Sequence, residues 1–260
     1  MQHGDGENGN AYSHDGFLGG KLRLRQLRDG FRSGHDAVLL AASANPPQNG
    51  HVAELGSGAG VASLCFLARR HDAHITGIEI DDALVALAQA NAAANGLGER
   101  AHFRSGDVAG AFGDLHIVAN SFDEVIANPP FHDVGSVPEI DHEGKARAYI
   151  GDAGTLDNWV KCACALTRAG GYISFVHRAD ALDRLLTVMH KRLGDLRVLP
   201  IMPKPQQAAT RVIVRGKRDA RAPVTLLPPL ILQDDAARPS EMAEAVLRHG
   251  AALAFGKNGG

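Results

Sequence analysis

The sequence predicts an α/β fold with a mostly parallel sheet of about seven strands and an antiparallel hairpin near its C-terminal end. After Pro46 and Pro47, apolar runs of strand length alternate with longer runs of helical period, which is typical of βαβ units. The late runs "LRVLPI" and "ATRVIVRG" are close enough in sequence to pair as an antiparallel unit. Hydrophobic residues make up 45% of the 260 residues and charged residues 22%, so the composition is that of an ordinary globular protein.

The predicted elements follow one another in a regular order. A short helix, "HDAVLLAASA", with Ser33 or Asp36 as its cap, precedes the first strand of the sheet. An alanine-rich helix runs from Asp82 to about Asn95 and closes at Gly96. The strands are expected in "HVAEL", "HITGIEID", "AHFRSGD", "FDEVIAN", "GGYISFV", "LRVLPI" and "ATRVIVRG", and the other helices in "VASLCFLARRH", "TLDNWVKCACALTR" and "ADALDRLLTVMHKRL".

Three segments are expected along the chain. Residues 1–14 are polar, rich in Gly and Asn and without period, so we expect a disordered N-terminal tail. Residues 15–235 form the main domain, which opens with a basic hairpin in "FLGGKLRLRQLRDGFR" that turns at Asp29-Gly30. Residues 236–260 are expected to form a C-terminal helix and tail.

The apolar runs and the positions of the cysteines indicate where the protein is located and what state its thiols are in. No apolar run approaches the roughly 20 residues of a membrane span, and no apolar segment of a secretory signal follows the polar start, so a cytoplasmic location is expected. Cys65, Cys162 and Cys164 fall in predicted helices, which suits reduced, buried thiols, and their spacing does not suit a metal site. Trp159 has apolar spacing within its helix and is expected in the core.

Two basic runs stand out although the net charge is only −2. The first, "KLRLRQLRDGFR", places Lys21, Arg23 and Arg25 on one face of a candidate strand, with Arg28 close behind. This run and a second one at 211–221 could each meet the phosphates of a nucleic acid. Edge strands that Lys and Arg guard against further pairing would give the same pattern, so each run alone leaves both interpretations open. The candidates in the second run are Arg215, Lys217 and Arg218.

The stretch "ELGSGAG" directly follows the first predicted strand of the sheet and opens a helix. Its glycines let the backbone turn sharply and keep side chains away from a ligand, while the amide groups of the new helix face outward. The spacing differs from the Gly-x-Gly-x-x-Gly of dinucleotide-binding proteins, and no Gly-Lys-Ser/Thr follows, so a phosphate-binding P-loop is disfavoured. We therefore expect Gly56, Ser57, Gly58 and Gly60 to line a ligand site.

Three acidic residues stand at the ends of successive strands. Glu79 ends the second strand about 20 residues after the glycines, where a carboxylate can accept both ribose hydroxyls of a nucleoside. Asp107, or a backbone amide beside it, could bind an adenine edge, and Glu54 would meet a cationic ligand group. Three carboxylates would repel a pyrophosphate but favour S-adenosylmethionine, whose sulfonium and α-amino groups are positive. Ile80 and Val108, next to two of these acids, complete the expected cofactor site.

The run "FDEVIANPPF" ends a predicted strand on Asn128, Pro129, Pro130 and Phe131. The prolines remove backbone donors and fix the chain, so Asn128 continues neither a strand nor a helix. Together with "ELGSGAG", "GIEID" and "SGD", this run resembles the Rossmann-like class I S-adenosylmethionine-dependent methyltransferases, of which those with Asn-Pro-Pro-aromatic act on planar nitrogens. The resemblance covers about residues 30–215 and implies that Asn128 borders both substrate and cofactor.

The chemistry of a planar nitrogen explains these residue types. The exocyclic amine of adenine is conjugated, and two acceptors pointed at its hydrogens favour the tetrahedral geometry in which its lone pair is available. The side-chain oxygen of Asn128 and the carbonyl of Pro129 can supply both acceptors, and Phe131 can stack on the base. Proximity and orientation then do most of the catalysis. The long irregular stretch after the motif, about 131–154, is expected to be functional or mobile.

A finer resemblance concerns the substrate. The segment "FLGGKLRLRQLRDGFRSGHDAVLLAA", together with "NPPFHD" and "RVIVRGK", is similar to the bacterial tRNA (adenine-N6)-methyltransferases that modify the adenosine beside the anticodon of a valine tRNA. This similarity covers nearly the whole chain. It implies that the two basic runs approach RNA phosphates and that the target base is flipped into the pocket.

Other functions stay open on the sequence alone. The same motif occurs in methyltransferases that act on a glutamine amide of release factors, although those typically have Tyr at its fourth position and a separate helical N-terminal domain. Guanine-N2 methylation of ribosomal RNA is a further alternative. A non-catalytic RNA-binding or nucleoside-binding module would have no use for Asn128 and Phe131, and Glu54 beside the glycines disfavours an NAD-linked oxidoreductase.

Overall fold

The computed structural model describes residues 11–29, 32–130 and 153–256, in which strands and helices alternate as predicted. The strands are β1 (Tyr12–Phe17), β2 (Leu22–Leu27), β3 (His51–Leu55), β4 (His74–Glu79), β5 (Ala101–Ser105), β6 (Phe122–Ala127), β7 (Thr167–Arg178), β8 (Leu193–Met202), β9 (Arg211–Arg218), β10 (Thr225–Leu226) and β11 (Leu230–Ile231). The helices are α1 (His35–Ser43), α2 (Val61–Arg69), α3 (Asp82–Ala94), α4 (Ala153–Leu166), α5 (Leu182–His190) and α6 (Glu241–Leu247).

The main sheet has the spatial order β10-β8-β9-β7-β6-β3-β4-β5, and β11 also pairs with β8. Strands β3 to β7 are parallel, whereas β9 is antiparallel to both β7 and β8. The predicted mostly parallel sheet with a late antiparallel unit is therefore confirmed. From β3 the chain adds β4 and β5 on one side and then returns to place β6 on the other side. This reversal creates the switch point at which such sheets bind ligands.

Helices cover both faces of the sheet and form two apolar cores. Helices α1, α2 and α3 pack on one face around residues such as Phe66, and α4 and α5 pack on the other around residues that include Trp159. Trp159 is 5% exposed, which confirms its predicted place in the core. Neighbouring residues of β3 serve opposite cores, since Val52 belongs to the first and Ala53 to the second. Both faces of the parallel strands are thus buried, as crossover helices require.

The N-terminal hairpin is present, but its turn lies earlier than predicted. β1 pairs antiparallel with β2, and the connection contains Gly19 and Gly20 at φ of 67° and 90°. These glycines reverse the chain because they adopt positive φ without a steric penalty, and Asp29 only follows the finished hairpin. β1 begins at Tyr12, so the end of the predicted disordered tail is a strand. The remainder of that tail, residues 1–10, lies outside the described residues.

Two further boundaries differ from the prediction. No side chain caps α1, whose N-cap residue is Gly34, so Ser33 and Asp36 are not caps. The backbone N–H of Ser33 is instead bound by the hairpin. Helix α5 ends at His190, earlier than predicted, because Leu193 already belongs to strand β8.

The C-terminal segment packs on the main domain. Helix α6 contacts α1, and the N–H of Leu253 donates to the carbonyl of Ala42 at 2.9 Å. Phe255 is 6% exposed and belongs to the core on the α1 face. The described part of the predicted C-terminal helix and tail therefore shares the core of the main domain.

The cysteines are free thiols with suppressed acidity. Burial raises the pKa of Cys162 to about 12 and that of Cys164 to about 11, and it raises the pKa of the buried Cys65 thiol as well. Across residues 11–29, 32–130 and 153–256, no three His, Cys, Asp or Glu side chains group as metal ligands would. In the same residues, no helix is both long enough and apolar enough to span a bilayer.

Candidate active site

The candidate site lies at the carboxyl edge of the sheet, where β3, β4, β5 and β6 end side by side. In the strand register, Leu55 is paired with Ile78 on one side and with Ala127 on the other, and Glu79 is paired with Ser105. The residues that follow these strands therefore meet around one crevice at the switch point. They include the glycine-rich turn after β3 and the Asn-Pro-Pro motif after β6.

The glycine loop, residues 56–60, joins β3 to α2 and is anchored to β4. The N–H groups of Gly56 and Ser57 both donate to the carbonyl of Ile78, at 2.8 and 3.1 Å. A Cβ atom on Gly56 would lie 2.6 Å from the ring of Trp159, so a side chain does not fit there. The backbone of the loop at Gly56, just after β3, therefore packs directly against Trp159 of helix α4.

Gly58 marks the open side of the glycine loop. Its φ is 52°, and a Cβ atom built on it would meet no atom of the described residues within 4 Å. Gly60, by contrast, is the N-cap of α2 at φ 82°, and a Cβ atom there would lie 2.9 Å from Phe103. Gly60 therefore serves packing, whereas Gly58 leaves backbone next to free space that a ligand can approach closely.

Glu79 connects the end of β4 to the glycine loop. Its Oε2 accepts the N–H of Gly58 at 2.8 Å, and its Oε1 accepts the N–H groups of Ile80 and Asp81 at 2.8 and 3.1 Å. The residue is 8% exposed. Its carboxylate is therefore fixed at the edge of the crevice, where the sequence predicts a ribose contact, and Ile80 takes part through its backbone.

Glu54 lies beneath the glycine loop. It is 3% exposed, and the hydroxyl of Ser63 on α2 donates to its Oε2. Burial raises the pKa of Glu54 to about 8, the hydrogen bonds from Ser63 act in the opposite direction, and the charge of Glu79 adds to the rise. In the structure the carboxyl of Glu54 binds the first turn of helix α2, and its expected contact with a cationic ligand group stays a prediction.

Asp107 projects from the end of β5 and is exposed. Its Oδ1 accepts the N–H of Ala109 at 2.9 Å, which closes a local turn. Val108 is 6% exposed and packs in the core that contains Trp159. Asp107 follows the end of β5 at the carboxyl edge of the sheet, whereas the side chain of Val108 is packed in the core; their contacts with a cofactor stay a prediction.

Asn128 follows β6 directly and carries the most informative atom of the site. Its Oδ1 is shielded from solvent, yet no residue of the described chain donates a hydrogen bond to it. An unsatisfied buried acceptor costs about 1–3 kcal/mol, so such an atom marks a place that a ligand completes. Pro129 is buried and Pro130 is exposed. Phe131, like the rest of 131–152, lies outside the described residues.

Helix α4 contributes two neighbouring residues that the sequence did not assign to the site. The indole of Trp159 packs on Gly56, and Nδ2 of Asn158 donates to the carbonyl of Ala109 at 3.1 Å. Together they hold the loops after β3 and β5. Both contacts join residues that are far apart in the sequence, so the sequence around α4 could not reveal them. Its one hint of a role at the site is the polar Asn158 next to the apolar Trp159.

The second basic run follows β9 across the sheet. β9 runs antiparallel to β7, so Lys217 is paired with Tyr172, three residues below the level at which β6 ends. Arg215 is paired with Ser174, which is level with Ile126, only one residue below the end of β6. The contact of Arg215, Lys217 and Arg218 with RNA stays a prediction.

The cations of the second run make contacts within the protein. Arg215 is 9% exposed and forms an ion pair with Glu124 at 2.7 Å. Arg218 donates to the carbonyl of Cys164 at 2.8 Å and to that of Thr167, so it satisfies the end of α4. The ammonium of Lys217 lies 5.6 Å from the centre of the Tyr172 ring. These cations therefore stabilise the fold.

The basic hairpin, β1 and β2 with their cations, presents a charged surface. Lys21, Arg23 and Arg28 are exposed, and Arg25 is half-buried with its guanidinium 5.6 Å from the centre of the Tyr12 ring. The alternate residues of β2 face the core, as the burial of Leu22 and Leu24 shows. The alternation predicted from the sequence is thus present.

Comparisons with known proteins agree with this fold and site. Residues 33–150 match the model of the methyltransferase small domain family. A tRNA1(Val) (adenine(37)-N6)-methyltransferase of Actinobacillus succinogenes is 27% identical over 208 residues, which cover 80% of this chain and 85% of the relative. A protein of the same name from Porphyromonas gingivalis is 30% identical over 190 residues, which cover 69% of this chain and 74% of the relative.

Two further similarities are informative. The crystal structure of a predicted O-methyltransferase, Atu636 from Agrobacterium tumefaciens, matches with a TM-score of 0.72 over 84% of this chain and 98% of that chain, at 23% identity. This likeness shows the fold. A release factor glutamine methyltransferase of Rhodospirillum rubrum is 38% identical over 112 residues, but these cover only 42% of this chain and 33% of the relative.

The likeness to the first two relatives extends well beyond the glycine loop, over two thirds or more of each sequence. The protein is an S-adenosylmethionine-dependent methyltransferase with a Rossmann-like fold. More narrowly, the chain belongs to the family of the tRNA1(Val) (adenine(37)-N6)-methyltransferases.

Proposed function

We propose that this protein transfers the methyl group of S-adenosylmethionine to the N6 amine of an adenosine beside the anticodon of a valine tRNA. The relatives that resemble it over most of their length are named for adenine 37 of tRNA1(Val). The observation that carries the proposal is the buried Oδ1 of Asn128, which accepts no hydrogen bond from the described residues and lies at the carboxyl end of β6, beside the glycine loop. A buried acceptor in this place suits an amino group of a base.

The residues around the crevice fit the cofactor. The carboxylate of Glu79 would accept the ribose hydroxyls, and the open backbone at Gly58 would let the ligand approach. Asp107 and the backbone N–H of Val108 would meet the adenine edge. S-adenosylmethionine supplies an electrophilic methyl group when it is bound. Glu54 adds negative potential beneath the loop when it is ionised, which favours a positively charged ligand.

The Asn-Pro-Pro motif would present the acceptor amine. Asn128 Oδ1 and the Pro129 carbonyl accept hydrogen bonds from the two amino hydrogens and favour the pyramidal nitrogen whose lone pair attacks the methyl group. The new N–C bond would form as the S–C bond to the methyl group breaks, which would leave S-adenosylhomocysteine, and one amino hydrogen would leave to solvent as a proton. Phe131 would stack on the base and hold it in line. No strong base is required, because orientation supplies most of the rate.

The basic hairpin would bind the RNA backbone. Arg23 and the half-buried Arg25 lie in β2, and Lys21 and Arg28 flank its ends; cations on such a surface neutralise phosphates with little dependence on base sequence. The target adenosine would then be flipped into the crevice. A tRNA substrate agrees with the cytoplasmic location expected from the sequence.

The proposal is tested by analysis of modified nucleosides. Unmodified valine tRNA is incubated with the protein and S-adenosylmethionine, digested and examined by mass spectrometry. We expect N6-methyladenosine in this tRNA and none in a matched transcript with guanosine at position 37. Equal methylation of both transcripts would contradict the proposed position, and no methylation of either would contradict the proposed substrate.

A second candidate is methylation of a glutamine amide in a release factor. The match to the glutamine methyltransferase of Rhodospirillum rubrum favours it, because that match has the higher identity. A glutamine amide is also a planar nitrogen and would use the same acceptors. The two functions separate when labelled cofactor is offered with release factor and tRNA together. Label found only in protein would favour the second candidate.

A further inference from the structure

The side chain of Asn91, on α3, joins the basic hairpin to the glycine loop. Asn91 is 1% exposed. Its Oδ1 accepts the N–H of Arg25 at 2.9 Å, and its Nδ2 donates to the carbonyl of Arg25 at 2.9 Å and to the carbonyl of Ala59 at 3.0 Å. One of its two amide hydrogens thus binds the hairpin and the other binds the glycine loop.

A second asparagine, Asn95, binds the hairpin backbone in the same way as Asn91, but it does not bind the glycine loop in the described part of the chain. Asn95, one helical turn later, accepts the N–H of Arg23 at 3.1 Å and donates to the carbonyl of Arg23 at 3.0 Å. Its Nδ2 also donates to the carbonyl of Asn91 at 2.8 Å. Four helical residues rise about 6 Å and two strand residues about 6.8 Å, so the two amides match alternate residues on the outer edge of β2.

This pairing fixes the hairpin on the methyltransferase domain. A two-stranded hairpin leaves unpaired N–H and C=O groups on its edges, and here two side-chain amides bind those of Arg23 and Arg25 as a neighbouring strand would. Of the two, only Asn91 is also bound to the glycine loop in the described part of the chain. The position of β2 and the position of the loop are therefore linked through one planar amide.

The glycine loop is restrained from both sides. Glu79 binds the N–H of Gly58, and Asn91 binds the carbonyl of the next residue, Ala59. The first restraint comes from the side chain assigned to the cofactor ribose, and the second comes from a side chain of α3 that also binds the hairpin assigned to RNA. A shift of Glu79 or of β2 would therefore act on two adjacent residues of the glycine loop, Gly58 and Ala59.

We propose that Asn91 is a positioning residue that couples RNA binding at the basic hairpin to cofactor binding at the glycine loop. This inference rests on the proposed function, because it takes the hairpin as the RNA contact. RNA held by Arg23 and Arg25 restrains β2, and Asn91 transmits the restraint to Ala59. By linkage, bound cofactor strengthens RNA binding by the same factor.

The test compares cofactor affinity with and without RNA. The dissociation constant of S-adenosylhomocysteine, which supports no methyl transfer, is measured by calorimetry for the wild type, Asn91→Ala and Asn95→Ala, each with and without saturating unmodified valine tRNA. We expect tRNA to tighten binding to the wild type about fivefold or more. Asn95→Ala should keep this ratio. Asn91→Ala should bring it close to one.

Three outcomes would overturn the proposal. The first is that tRNA tightens cofactor binding to Asn91→Ala as much as it does to the wild type. The second is that Asn95→Ala loses this effect of tRNA to the same extent as Asn91→Ala, which would show that any contact attaching the hairpin is responsible. The third is a ratio of one in a wild type that binds and methylates tRNA, which overturns the coupling but leaves the proposed function intact. If a mobility shift shows that the wild type does not bind tRNA, the proposed function fails and the coupling with it.

Two additions keep the test decisive if Asn91→Ala does not fold. Asn91→Leu has a similar volume and removes all three hydrogen bonds, so it replaces Asn91→Ala in the same comparison. Amide hydrogen exchange of the wild type needs no variant at all. Bound tRNA, without cofactor, should slow exchange in the glycine loop, and unchanged exchange there would count against the coupling.

Discussion

The carboxylate of Glu79 accepts a hydrogen bond from the backbone N–H of Gly58, with 2.8 Å between Oε2 and N, and this contact binds the end of β4 to the turn that follows β3. The same side chain is the one that suits a ribose. One carboxylate therefore shapes the site and is also the proposed ligand of the ribose, so we expect its charge to matter more than that of acids nearby.

We expect Glu79→Gln to weaken cofactor binding by about 10- to 150-fold, because hydrogen bonds to a charged group contribute about 1.5–3 kcal/mol. Calorimetry with S-adenosylhomocysteine measures this change. Asp82→Asn is the matched control, since it removes the same charge from an exposed residue at the start of α3. Equal weakening in both variants would show that net charge, not the position of Glu79, controls binding.

Asn128→Ala should lower the rate of methyl transfer by about 100- to 1,000-fold, the size found when one preorganised polar group is removed from an active site. The physical reason is loss of the Oδ1 atom, which accepts no hydrogen bond from the described residues and is the proposed acceptor for the amine. The affinity for S-adenosylhomocysteine should change far less. A variant that keeps most of its activity on tRNA would remove Asn128 from the reaction.

Gly56→Ala and Gly58→Ala should differ in kind. Both place a side chain on left-handed backbone at a cost of about 1–2 kcal/mol, but only Gly56→Ala also meets Trp159, at 2.6 Å, and overpacking adds about 1–3 kcal/mol. We expect the lower free energy of unfolding for Gly56→Ala. Gly58→Ala should stay folded yet bind cofactor weakly, because its methyl group enters the open space. Chemical unfolding measures the stability of both variants, and calorimetry measures their cofactor affinity. A Gly58→Ala variant less stable than Gly56→Ala would contradict this prediction.

Glu54 should make the cofactor-free protein less stable as the pH rises. Its pKa in the folded protein is raised from 4.5 to about 8, so the folded chain retains a proton that the unfolded chain releases, and stability falls between about pH 4.5 and pH 8. Glu54→Gln has no such proton. The melting temperature of the variant minus that of the wild type should therefore increase across this range.

The comparison of Glu54→Gln with the wild type isolates one group. Burial also raises the pKa of Glu124, against the effect of Arg215, but Glu124 is present in both proteins and cancels in the difference. Melting curves recorded at intervals from pH 5 to pH 8 give the measurement. A constant difference would mean that Glu54 ionises in the folded protein much as it does in the unfolded chain.

The exposed cations of the basic hairpin should set the affinity for tRNA. We expect the double variant of Arg23→Ala and Arg28→Ala to bind tRNA more weakly and to lower the slope of log K against log salt by about one for each phosphate that is no longer neutralised. Its affinity for S-adenosylhomocysteine without RNA should be unchanged. Lys217→Ala, at the amino edge, is the control of equal chemistry, and tRNA binding that weakens equally there would contradict the assignment.

Much of the fold could be predicted because its signals are local. The alternation of strand and helix, the glycines after β3 and the acid at Glu79 are all read from short stretches, and the rule that parallel strands end at one edge brings them together. The same rule placed Asp107 and Asn128 at the crevice. These predictions needed no knowledge of which side chains touch across the fold.

What could not be predicted depends on contacts between distant segments. Arg215 has the sequence surroundings of a surface cation, and only the packing of β9 near β6 brings it to Glu124. Glu54 stands at a strand end like Glu79, but helix α2 closes over it. The tether from Asn91 to Arg25 and Ala59 joins three separate elements, and an asparagine in an alanine-rich helix gives no sign of it.

The two shortest strands have a consequence for the behaviour of the protein at high concentration. β10 and β11 pair with Arg197, Val198, Ile201 and Met202 on the outer side of the ten-residue strand β8, so part of this margin is already occupied. A free margin of that length would offer a template to which another molecule could add its own strand. Variants that break these two short pairings and leave the rest of the C-terminal segment in place would therefore tend to aggregate.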